Sequence, residues 1–287
     1  MAIHAPFADL LFQAVATGRT FPEVATIGRL GLDVARSDLS RLSKRYSVEV
    51  SADVSRDQFA DGLLKHVLRV ERLSAFDISD YEDCNYIHDF NTPVSEDHHR
   101  QYDAVIDAGS LEHIFNLPIA LSNYMQMLRP GGTIFLCTVA NNHMGHGLYQ
   151  FSPEFFYRVF YQANGFRVDR MHLVEHRYPQ LFSESRVAQY TVVDPVDVGR
   201  RVTLVSKRPV QIMVQATRVA AVTPFQHPTV QSDYASPEQF QPQESSLRSA
   251  AIQVLRFLPD LVEQMVYGHR ELRRASFSNR SCYRRVS

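Results

Sequence analysis

The sequence predicts an α/β fold, an open parallel sheet with helices on both faces, on three observations. Short apolar runs alternate with helix-like stretches through the first two thirds of the chain, which is the order of repeated β-α-β units. The uncharged, β-rich run "TIFLCTV" follows directly on Gly131-Gly132, as a strand covered on both faces should. With 287 residues, 45% of them hydrophobic, the chain is long enough to bury a full core.

The elements follow in order. Strands are expected at 24–27, 73–78, 86–88, 103–107 and 133–139, where β-branched and aromatic residues cluster between turn formers. Helices are expected at 8–16, 34–46, 58–70, 119–128 and 153–163, the last with Ser152 as its cap and Pro153 in its first position. After Gly165, "FRVDRMHLVEH" and "RVTLVSKRPVQIMVQA" read as two strands with no helix between them, an antiparallel pair at one sheet edge. The stretch 222–243 is rich in Pro, Gln and Ser and has no period, the mark of an ordered arm or linker. A last helix then aligns Leu247, Ala250, Ala251, Val254, Leu255, Leu258, Leu261, Val262 and Met265 on one face, with a kink at Pro259. So broad a stripe needs a partner surface and suits a homodimer. From Arg270 onward six arginines accompany Glu271, which reads as a solvated tail. The expected units are a sheet domain over 1–215, the arm over 216–244, and the C-terminal helix with its basic tail over 245–287.

Charge and cysteine content narrow the function classes. The 30 Lys and Arg against 31 Asp and Glu give a formal net charge of −1, which offers no field to attract nucleic acid or an acidic membrane. Three cysteines, odd in number and far apart, fit neither a disulfide framework nor a zinc knuckle and point to a reducing cytoplasm. No basic start with a cleavage site opens the chain, and no run of ~18 apolar residues occurs in it, so neither a secretion signal nor a membrane span is expected.

In an open parallel sheet the ligand lies beyond the carboxyl ends of the strands, which directs attention to the residues there. The first strand ends in Gly28 and Arg29, the second in Asp77, the third in Asp89 and Phe90, and the fourth in "DAGSLEH", Asp107 to His113. A pyrophosphate cofactor wants G-x-G-x-x-G after the first strand, and "GRLG" offers only Gly28 and Gly31. It is either a shortened cofactor loop or an ordinary turn. Asp77 has the position and chemistry to accept from both hydroxyls of a ribose, or to cap the surface segment "ISDYED".

The segment "YDAVIDAGSLEHIFNLPIALSNYMQMLRPGGTIFLCTVANN" resembles the fourth-to-fifth-strand region of the class I S-adenosylmethionine (SAM) dependent methyltransferases, where an "EH" pair follows the fourth strand and "LRPGG" precedes the fifth. The resemblance spans roughly residues 22–175. It implies a Rossmann-like class I methyltransferase sheet, SAM as cofactor, and a cofactor site drawn from Gly28, Arg29, Gly31, Asp77, Asp89, Phe90, Asp107 and Gly109. The following "NNHMGHGLYQFSPEFF" resembles a bacterial methyltransferase-like subgroup associated with surface polysaccharide or nucleotide-sugar chemistry, which implies a small, sugar-like acceptor. The family's first motif is G-x-G-x-G, so "GRLG" is a departure. SAM carries no pyrophosphate, and its single carboxylate suits the planar fork of Arg29. The long interval between Gly28 and Asp77 adds an extended piece and a further helix.

Histidines crowd the same end of the sheet. Methyl transfer requires an aligned acceptor and, for a hydroxyl, removal of its proton. His113, beside Glu112, is the candidate base, and His143, His146 and Tyr149 are candidates for the acceptor side. No metal is expected, because the H-x-x-H of His143 and His146 lies among glycines and lacks an evident third ligand. Two rivals stay open. One is a methyltransferase-like scaffold that has lost SAM with its glycine loop; the other is a nicotinamide-dependent oxidoreductase, which the missing pyrophosphate loop opposes.

Overall fold

The computed structural model describes residues 2–51, 54, 58–176, 187–235, 237–240 and 260–286. A short strand β1 (Ala2–His4) leads into helix α1 (Ala5–Val15), whose first turn is set by Pro6 and by the His4 side chain accepting from the Phe7 N–H. Then come β2 (Glu23–Ile27), β3 (Gly31–Asp33), α2 (Arg36–Tyr46), α3 (Asp61–Leu68), β4 (Arg72–Asp77), β5 (Tyr86–Ile87), β6 (Tyr102–Ala108), α4 (Leu117–Met127) and β7 (Leu128–Asn141). The remainder is α5 (Pro153–Val159), β8 (Phe166–Glu175), β9 (Ala188–Val192), α6 (Pro195–Val198), β10 (Val210–Arg218), α7 (Ser232–Ala235), α8 (Asp260–Arg274) and β11 (Tyr283–Val286).

Nine strands form one sheet in the order β11-β9-β8-β10-β7-β6-β2-β4-β5. The run β7-β6-β2-β4-β5 is parallel throughout. Numbered along the parallel set, it has the 3-2-1-4-5 order of the doubly wound, Rossmann-like α/β fold. Alternation along each strand divides the apolar residues between two faces. Val24, Ala104, Ile106 and Phe135 pack with α1, α2 and α3; Ala25, Ile27, Val105, Ile134 and Leu136 pack with α4 and α5. Burying side chains of this size stabilises by ~1.5–3 kcal/mol each, which is why the residues facing the two helical layers at the centre of these strands are largely apolar.

Several expectations need correction. The chain after Gly28 does not turn straight into a helix: Gly31–Asp33 is the strand β3, which pairs in parallel with β1 as a separate two-stranded sheet. Helix α5 keeps its Ser152 cap but ends at Val159, where Phe160 leaves helical geometry. The antiparallel pair β8 and β10 is not at an edge, since β10 lies between β7 and β8, and β9 and β11 extend the sheet beyond them. The boundary at residue 215 falls inside β10, and the basic terminus is no solvated tail. Its strand β11 pairs with β9, Cys282 and Tyr283 are buried, and Phe277 stacks on Tyr190 with ring centroids 3.9 Å apart.

The arm follows α5, with the Phe225 N–H donating to Asn164 and the Ser232 N–H to Glu154. Leu247, Ala250, Ala251, Val254, Leu255, Leu258 and Pro259 of the expected apolar stripe lie outside the described residues, as do the side chains of Leu261 and Val262; Met265 is exposed. Among the described residues no helix is long and apolar enough to cross a membrane.

Candidate active site

The strand order reverses its direction of growth between β2 and β6, which makes the crevice beyond their carboxyl ends the switch point where open α/β sheets bind ligands. Each strand is followed at once by a glycine of positive φ, Gly28 at +81° and Gly109 at +108°, a conformation costly for residues with a Cβ. The Gly28 N–H donates to the Phe76 carbonyl of β4 (2.6 Å), and the Ser110 hydroxyl donates to the Ile27 carbonyl (2.7 Å), so the ends of β4, β2 and β6 are tied together. Gly31 stands apart from this crevice, paired with Ala2 in the small sheet.

Arg29 has a different occupation from the expected one. Its guanidinium lies 4.1 Å from the centroid of the Phe59 ring, donates to the Glu82 carbonyl (2.9 Å), and pairs with Asp61 (3.5 Å) and Asp83 (3.8 Å). The fork that was to hold a cofactor carboxylate instead braces the segment before α3 against the loop after β4.

Of the expected acidic contacts, Asp77 ends β4 half-buried, with one oxygen accepting from the Ile78 N–H (2.7 Å). Asp89 is exposed and accepts from both the backbone and the side chain of Asn91, bonds that hold its carboxyl below the ordinary value. Two others are corrected. Phe90 is buried in the core between Phe76 and Tyr124 and offers no free face. Asp107 is fully buried and accepts from the N–H groups of Gly109, Ser110 and Leu111 and from the Tyr124 hydroxyl, so it brackets the turn instead of meeting a ligand. Burial and the charge of Glu112 raise its pKa to about 7.

Beyond that turn, a 3-10 segment Leu111–His113 carries Glu112, whose carboxylate is buried and accepts from the Thr138 hydroxyl of β7 (2.7 Å). The loop after β7 folds back onto it. Leu148 and Tyr149 donate their N–H groups to the Glu112 carbonyl at 2.7 and 3.3 Å. A Cβ on Gly147, at φ +75°, would lie 2.8 Å from that same carbonyl oxygen, so only glycine lets the loop come so close. This seats His146 with Nε2 3.5 Å from a Glu112 carboxylate oxygen and its ring 5.3 Å from that of His113. His143 follows, its ring 6.0 Å from His146; burial foremost, then the charge of His146, lower its pKa to about 4. The Tyr149 hydroxyl donates to the Phe115 carbonyl (2.9 Å), closing the loop against the start of α4.

The sequence reading missed Thr138 and Ser110, and it missed an apolar rim. Ile78, Tyr81, Ile87, Phe115, Met144 and Leu148 are exposed, and all belong to the carboxyl ends of β4 to β7 or to the loops leaving them. Their signal in the sequence was an apolar residue inside an otherwise polar loop. A groove of about 820 Å³ lies at the opposite end of the sheet, lined by Tyr157, Arg158, Phe166, Val168 and Asp194, away from the switch point.

No protein-family model matches the sequence, and no curated protein matches it. Among solved structures the chain is similar to the 1,6-didemethyltoxoflavin-N1-methyltransferase of Burkholderia thailandensis, solved with 1,6-didemethyltoxoflavin and S-adenosylhomocysteine bound. The identity is 12%, with 75% of this chain and 77% of that chain covered and a TM-score of 0.39. It is likewise similar to the N-methyltransferase NodS of Bradyrhizobium japonicum WM9, at 11% identity over 75% of this chain and 98% of that chain, with a TM-score of 0.39. Both are methyltransferases. The Rossmann-like architecture of the present chain rests on its own strand order.

Proposed function

We propose that this chain is a SAM-dependent methyltransferase that methylates an oxygen or nitrogen of a small, sugar-like acceptor. The observation that carries the reading is the placement of Gly28, Gly109 and Asp77 around one switch point, beside the cluster of Glu112, His113 and His146. Gly28 and Gly109 admit a cofactor to the backbone, and Asp77 is assigned to the ribose hydroxyls. Asp89 remains a candidate for the nucleoside side, while Arg29, Phe90 and Asp107 hold the walls. SAM supplies the methyl group as an electrophile on sulfur. The protein's own part is to align the acceptor against it, and His113 is assigned to take the acceptor proton. His143, His146 and Tyr149 are assigned to the acceptor side.

The occupied fork of Arg29 favours one second reading, a scaffold that no longer binds SAM. Calorimetric titration with SAM and S-adenosylhomocysteine separates the two. Saturable binding by the wild type, weakened by Asp77→Ala, supports the enzyme; absence of binding at millimolar concentration supports the scaffold.

A further inference from the structure

The H-x-x-H of the β7 loop does not act as a pair: the fold leaves His143 aside and brings His146 to Glu112 and His113 of the turn after β6. One ligand atom each from Glu112, His113 and His146 lie within 4.8 Å of one another. In a tetrahedral site with ligands at ~2.0–2.1 Å from the ion, ligand atoms stand roughly 3.4 Å apart. The His146 Nε2 to Glu112 Oε1 separation is 3.5 Å, already that of a shared coordination edge. His113 is exposed and its ring lies 5.3 Å from that of His146, so the third corner is a side chain with room to turn about its own torsions.

Two further observations point to a cation. The Glu112 carboxylate is buried, yet among the described residues no Lys or Arg pairs with it; a buried charge is ordinarily paired or bound to a metal. Its other oxygen is held by the Thr138 hydroxyl at 2.7 Å, the kind of outer bond that fixes a ligating carboxylate in direction. The loop is also built to deliver His146, since Gly147 and the two N–H donors to the Glu112 carbonyl fix it independently of any ion.

We infer that Glu112, His113 and His146 form a three-ligand site for a divalent transition ion of the zinc class. Two imidazoles and one carboxylate suit borderline ions, and both histidines are exposed, so at least one coordination position stays open. On the methyltransferase reading, an ion held by these three residues would offer its open position to the acceptor's oxygen and acidify a hydroxyl there, the proton passing to solvent; with the ion bound, His113 would serve as a ligand in place of the base.

The test uses the full chain stripped with a chelator, titrated with Co²⁺ and followed by visible absorption, then with Zn²⁺ as competitor. One ion per chain is expected, with binding weakened by at least ~100-fold in His113→Ala and in His146→Ala, and by ~10–100-fold in Thr138→Val, which keeps the shape but removes the outer bond. Glu112→Gln should behave as the histidine variants do, with far-UV circular dichroism checking its fold. No binding at millimolar Co²⁺, or binding unaltered in both histidine variants, overturns the site. SAM is titrated into the same metal-free protein. SAM binding without an ion site leaves the enzyme reading standing alone, and an ion site without SAM binding removes the assigned acceptor but not the metal.

Discussion

Gly145 and Gly147 differ in one respect that can be measured. Both have positive φ, +85° and +75°, so alanine at either costs ~1–2 kcal/mol of backbone strain. Around Gly145 a Cβ meets nothing within 4 Å; at Gly147 it lies 2.8 Å from the Glu112 carbonyl oxygen and 2.9 Å from Glu112 Cγ. The oxygen belongs to the backbone and cannot swing aside. Relieving the contact needs a separation of roughly half an ångström, which stretches the Leu148 N–H bond of 2.7 Å and breaks the Tyr149 one of 3.3 Å. Losing the longer bond costs about 1 kcal/mol. Gly147→Ala should therefore loosen the loop by about 1 kcal/mol more than Gly145→Ala does, and amide exchange at Leu148 and Tyr149 should quicken by ~5-fold over that control. Equal exchange in the two variants would refute the close approach of Gly147 to Glu112, and with it the seating of His146.

Four more outcomes are expected. Asp77→Ala should weaken SAM binding at least tenfold in calorimetry, since a hydrogen bond to a charged group contributes ~1.5–3 kcal/mol; an unchanged dissociation constant removes Asp77 from the site. Asp107→Asn sets an amide nitrogen against the buried Leu111 N–H and should cost ~1–3 kcal/mol in urea unfolding, with a normal midpoint counting against the bracket. Gly28→Val forces a branched side chain into positive φ and should abolish SAM binding; retained binding places the cofactor elsewhere. Acid should destabilise the fold. Burial lowers His4 to about 3 and His172 to about 4, so below their ordinary value of 6.5 the unfolded chain takes up two protons that the folded chain refuses. Asp107, raised to about 7, works the other way, because between about 4 and 7 the folded chain holds a proton that the unfolded chain releases. His143, also lowered to about 4, adds a third refused proton, so against Asp107 the net approaches two protons, or ~2–3 kcal/mol lost per pH unit near pH 5, and a flat or rising urea midpoint from pH 6 down to 4 would contradict the burial of these histidines.

The parallel half of the sheet was legible because each of its long strands is an apolar run between turn formers, and "TIFLCTV" reads the same way in any packing. Strand β11 was not, since its "YRRV" pattern is judged by two arginines that face solvent while Tyr283 alone faces the core. At three residues each, β1 and β3 are too short to show a period. In the site, Glu112, His113 and His146 could be named singly from their place after strands, but their meeting depends on a loop fold governed by Gly147. Asp107 and Phe90 misled because a strand end fixes where a residue stands along the sheet, and says nothing of whether its side chain turns inward.

The position of β10 has a consequence for assembly. It is the last of the inner strands to be synthesised, yet β8 reaches β7 only through it, and β9 and β11 reach the sheet only through β8. The growing chain must keep β7 unpaired on one side, and β8 without its partner, until residues 210–218 arrive to fill the gap. Pairing of β7 directly with β8 is the natural trap of this topology, and escape from it requires opening a sheet that has already formed.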